Sequence, residues 1–180
     1  MAMISAGART LNPFLRKRQP TFLSQRAALR RGPVHVAASI AVAHQYGYVI
    51  ASTAFTAAVL QWQAIRVAIA RRKYNVAYPK MYAEGEGEEA QIFNCTQRSH
   101  QNTLETAPAM LVMTCMLGLV YPVSAAILNA VWSVGRIFYA TGYSTGDPSK
   151  RMTGAGISGL SYLGCIIATL VVGLRTALAA

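Results

Sequence analysis

Acid is what this 180-residue chain has least of: six Asp and Glu stand against 17 Lys and Arg, for a net charge of +11. No acid occurs before Glu84, and four of the six sit in the run Glu84-Gly-Glu-Gly-Glu-Glu89. Charge of either sign is sparse, at 13% of residues against about 25% in soluble domains. Cysteine is sparse too. Cys95, Cys115 and Cys165 are odd in number and far apart, with no CxxC or Cys/His spacing. That argues against a disulfide framework and a zinc site, and Cys115 and Cys165 read as small apolar packing residues. The Glu run lacks the ligand pattern of a calcium loop and reads as solvated. The basic residues form no stripe with interleaved aromatics, so a nucleic-acid partner is not expected. What the chain has is apolar mass: 53% hydrophobic residues and a mean hydropathy of +0.31. A soluble globule of this size needs more polar surface, so a membrane protein with several spans is expected.

The first 44 residues differ from the rest. Arg9, Arg16, Lys17, Arg18, Arg26, Arg30 and Arg31 accompany several serines and no acid. This composition predicts an organellar transit peptide, plastid or mitochondrial, with a retained basic leader on an endoplasmic-reticulum protein as the alternative. Residues 45–180 then form one all-α membrane domain with spans expected near 46–70, 92–120, 122–143 and 153–174. Each approaches the ~20 residues needed to cross a bilayer. The loops after the first and third spans carry Lys73, Lys80, Lys150 and Arg151. The positive-inside rule places both on the cytosolic-type face, which gathers Arg71, Arg98 and Arg151 at one end, with Arg136 opening toward it. The fourth span is rich in Gly and Ser, which lets membrane helices approach closely.

Three polar residues stand out at the start of the second span. Arg98, Asn102 and Glu105 are spaced i, i+4, i+7, which puts them on one helical face within roughly 60°. Such groups on a membrane helix face either one another or a polar ligand. Arg136, Tyr139 and Tyr143 repeat the pattern in the third span. Arg136 lies two turns before Tyr143, about 10 Å deep along the axis, where an arginine costs at least ~2.5 kcal/mol. With Glu105 as the one acid inside a span, the cations exceed the anions, which calls for an anionic ligand, lipid headgroups or solvation.

The run Phe93-Asn94-Cys95, Gln97-Arg98, His100-Gln101-Asn102-Thr103-Leu104-Glu105 and Pro108 resembles the second-helix signature of the membrane-associated proteins in eicosanoid and glutathione metabolism. The type 3 microsomal glutathione S-transferases are the nearest branch, and the resemblance runs from about Tyr46 to Arg175. It implies a four-helix bundle in a homotrimer whose sites lie between subunits, with glutathione as co-substrate and no metal. Glutathione binding is implied for Arg71, Arg98, Asn102, Glu105, Arg136, Tyr139 and Tyr143. A thiol-polarising role is implied for Arg151, with Lys150 as rival, and stabilisation of the leaving group for Arg72. One residue departs from the pattern: Thr106 stands where the leukotriene-forming members carry tyrosine. The implied activity is conjugation of lipophilic electrophiles or reduction of lipid hydroperoxides. A lipid-binding relative without catalysis and a structural membrane subunit remain the alternatives.

Overall fold

A computed structural model describes residues 44–179; the expected leader lies outside the described residues. Four long helices follow in order: α1 Tyr46–Lys73, α2 Glu88–Gly118, α3 Pro122–Tyr143 and α4 Met152–Leu178. A short 3-10 turn, Pro148–Arg151, leads into α4. The expected spans therefore appear as four helices. Three of them, α1, α3 and the unit 148–178, are long and apolar enough to cross a membrane. The second expected span, α2, is not among these three: Glu88, Glu89, Arg98, Gln101, Asn102 and Glu105 make its first half polar. At 1.5 Å per residue its 31 residues measure about 46 Å, well beyond a hydrocarbon core of ~30 Å. Its charged first turns therefore have room to stand clear of lipid. Glu88 and Glu89, which precede the expected span, form the first turn of α2 behind Gly87, where carboxylates complement the helix dipole. The helix runs through Pro108 without a break, as membrane helices can when neighbours re-satisfy the freed carbonyl.

Neighbouring helices alternate in direction. The start of α1 meets the end of α2, where Tyr46 Oη donates to the Cys115 carbonyl at 3.4 Å. The loop end of α1 meets the start of α2, where Arg71 lies over the Phe93 ring at 5.3 Å. Arg71, the start of α2, the end of α3 and the start of α4 thus share one end of the bundle.

The interior combines apolar side chains, Val49, Met110, Leu117 and Trp132 among them, with small and polar ones. Large apolar residues such as Ile50, Ile69, Leu160 and Leu170 are exposed, as a lipid-facing surface requires. Between α1 and α3, Asn129 Nδ2 donates to Thr56 Oγ1 at 3.0 Å, and the Thr56 and Ser133 hydroxyls share a 2.7 Å hydrogen bond. All three residues are fully buried. Lipid tails are as apolar as leucine, so helices gain from such bonds and from close backbone approach. The α3–α4 seam shows the second device. A Cβ at Gly135 would lie 2.6 Å from Ser158 N, so only glycine lets these backbones touch. Near the mouth, Gly142 packs in the same way against the Lys150 carbonyl.

Candidate functional site

The face predicted from spacing assembles on α2. Arg98 Nη1 donates to Glu105 Oε1 at 2.8 Å, and Asn102 Nδ2 donates to Glu105 Oε2 at 3.4 Å. Both carboxylate oxygens thus have a donor. The pair stands at the bundle mouth, with side chains 40% and 47% exposed for Arg98 and Glu105, open to further partners.

Arg136 reaches this face from α3. It is only 7% exposed, and its guanidinium meets no carboxylate among the described residues. Nη1 donates to Asn102 Oδ1 at 2.8 Å and Nη2 to Thr106 Oγ1 at 3.0 Å. The rings of Trp132 and Tyr139 lie 5.1 and 5.4 Å from its central carbon. Nε is buried with no acceptor among the described residues. Among the described residues the cation is therefore held by neutral groups, and no carboxylate cancels it.

Arg151 completes the arrangement from the 3-10 turn. Asp147 caps that turn: its Oδ1 accepts from Ser149 N at 2.9 Å and from Ser149 Oγ at 2.7 Å. These bonds hold the Asp147 carboxyl below its ordinary range. The Arg151 guanidinium rests 4.8 Å over the Tyr143 ring, and Tyr143 meets Tyr139 edge to face, with centroids 5.7 Å apart. Arg98, Asn102, Arg136, Tyr139 and Arg151 line one groove of about 460 Å³ against Ala155 and Ser158 of α4. Lys150 is exposed and does not line it. Three guanidiniums and one carboxylate leave the groove and its rim cationic. Its volume is within the range of small-molecule sites.

Two expected members lie elsewhere within the chain. Arg71 Nη1 donates to the carbonyls of Lys80 at 2.6 Å and Val76 at 3.3 Å, folding the first loop onto the helix end. Arg72 is exposed beside it. The two share a different cavity of about 400 Å³ with Tyr78. Thr106 is the participant that the spacing of charged residues did not single out. It sits one turn beyond Asn102, so the same helical face was the available signal.

The MAPEG family profile matches residues 49–171, the full stretch that carries these side chains. The chain belongs to the MAPEG family. It is also similar to an uncharacterized protein of Synechocystis, 36% identical over 109 residues, covering 59% of this chain and 74% of that protein. MAPEG proteins are membrane-bound and use glutathione. With three membrane-capable helices, this MAPEG chain is an integral membrane protein.

Proposed function

We propose that this chain is a membrane glutathione transferase with glutathione-dependent peroxidase activity, closest in type to the type 3 microsomal enzymes. The supporting observation is the groove in which Arg98, Asn102, Arg136, Tyr139 and Arg151 converge. Its side chains fit a tripeptide with two carboxylates and one ammonium. The guanidiniums attract the carboxylates, and Glu105, already oriented by two donors, takes the ammonium.

Glutathione supplies the sulfur nucleophile for displacement at a lipophilic electrophile or for reduction of a lipid hydroperoxide. The residues of this chain bind and polarise it. Arg151 stands at the groove with no ion pair among the described residues, and a nearby guanidinium favours thiolate over thiol. Tyr143 holds that guanidinium in place by stacking. Tyr139 and Tyr143 bring phenolic hydroxyls to the same end. Arg71 and Arg72 lie off the groove of their own chain, so their proposed roles, binding and leaving-group stabilisation, require a neighbouring subunit in a homotrimer.

The test is glutathione-dependent turnover of a lipid hydroperoxide by purified protein, with Arg151→Ala in parallel. Turnover that falls about a hundredfold in the variant is the expected result, within the range for one electrostatic stabiliser. A wild-type rate in the variant removes Arg151 from the role. Glutathione binding without turnover converts the reading to that of a binding protein.

A further inference from the structure

Five side chains at the groove form one directional chain of hydrogen bonds. Arg136 donates through Nη2 to Thr106 and through Nη1 to Asn102; Asn102 donates to Glu105, which also accepts from Arg98. Each direction is set by chemistry. A guanidinium donates only, and a carboxylate accepts only. Asn102 could present either end of its amide to either neighbour. Arg136 decides the matter, because Oδ1 must face the guanidinium and Nδ2 must then face Glu105.

Thr106 anchors the far end. Its hydroxyl has one proton, within reach of its own helix at the carbonyls of Thr103, 3.2 Å, and Asn102, 3.3 Å. With the proton committed to the helix, the oxygen faces Arg136 as an acceptor. A carboxylate at this position would also hold the guanidinium, but would cancel its charge. The hydroxyl holds it and leaves the charge in the groove. Valine has nearly the same shape and no acceptor, so Nη2 would be buried and unsatisfied, a loss usually worth more than the bond itself.

We propose that Thr106 is a positioning residue of the glutathione groove, fixing Arg136 and, through it, the face that Asn102 turns to Glu105. The inference rests on the glutathione reading and deepens it. Glu105, at the rim of the groove, is the one carboxylate of these five side chains, and the part of glutathione that a carboxylate receives is the γ-glutamyl ammonium. Thr106 therefore governs recognition of that amino group although it makes no contact with it. In Thr106→Val, a guanidinium free to swing releases the Asn102 amide, and Glu105 loses one of the two donors that aim it.

The experiment compares two probes, glutathione and glutaryl-cysteinylglycine, which lacks the amino group, by calorimetry on detergent-purified protein. Wild type prefers glutathione. Thr106→Val weakens glutathione about tenfold, the scale of orphaning one buried donor, and leaves the deamino analogue within about twofold, so the preference collapses. Thr106→Ser, which keeps the hydroxyl, restores it. Equal loss for both probes in Thr106→Val makes Thr106 a structural support and overturns the inference. So does an unchanged preference. If Thr106→Val fails to fold, Arg136→Lys serves instead: it keeps the charge but cannot hold Asn102 and Thr106 together, and an intact preference in it is equally fatal. No uptake of either probe by wild type overturns the glutathione reading, and this inference with it.

Discussion

Two buried arginines of this chain are alike in exposure and in their aromatic neighbours but differ in what accepts from them. Arg71 is 9% exposed and Arg136 7%, and both lie over aromatic rings. Arg71 donates to backbone carbonyls of the loop that follows its own helix. Arg136 donates to side chains of a different helix. The first therefore shapes a loop, while the second organises an amide and a carboxylate that can themselves meet a ligand. Burial of a cation thus reveals its cost. Its partners reveal its use.

Substitutions separate the two most sharply at Arg136. Arg136→Leu removes the groove's central cation and leaves Asn102 Oδ1 without its donor, and a lost buried partner costs about 1–3 kcal/mol. We expect a lower thermal midpoint and glutathione affinity reduced at least thirtyfold, on the scale of ~2 kcal/mol. Near-normal binding would erase the contrast. Next in size is Arg151→Ala against Lys150→Ala. The first should lower turnover about a hundredfold and raise the pKa of bound glutathione, read from thiolate absorbance against pH. The second should stay within about twofold, because Lys150 is exposed and off the groove.

Arg71→Gln sharpens the comparison from the other side. Loss of its loop contacts should speed proteolysis between residues 74 and 87, with several-fold faster cleavage as the readout. If glutathione affinity falls as well, Arg71 serves the groove of a neighbouring copy, and the two arginines have overlapping roles. The smallest effect belongs to Asp147. Its folded pKa is depressed by Ser149, so its contribution is present above the unfolded value, about 3.9. It is lost as pH falls through the lower folded one. Thermal midpoints of wild type and Asp147→Asn should converge on acidification, and a gap that persists below that range contradicts the cap.

Much of this was legible in the sequence, for identifiable reasons. Helical spacing is a property of one segment, so Arg98, Asn102 and Glu105 could be placed on one face and do meet. The cost of a deep arginine marked Arg136, and the apolar run expected near 153–174 falls within α4, Met152–Leu178. What stayed hidden depends on register between helices. Nothing in α2 says that Thr106 comes level with Arg136, or in α1 that Thr56 comes level with Asn129 and Ser133. Arg71 was hidden for another reason: its acceptors are carbonyls of Val76 and Lys80, and every residue type has one. The second helix was harder still. Its apolar half reads as a span while its charged half does not, and only the 31-residue length shows that one rod carries both.

The bare α-carbon at Gly142 sets the width of a doorway. Because no methyl group stands there, the backbone at Lys150 lies flush against α3, and the residue that follows is delivered over Tyr143. Alanine at this position would wedge the corner open and carry the Arg151 guanidinium away from the aromatic ring on which it rests, altering the entrance without touching any group that lines it.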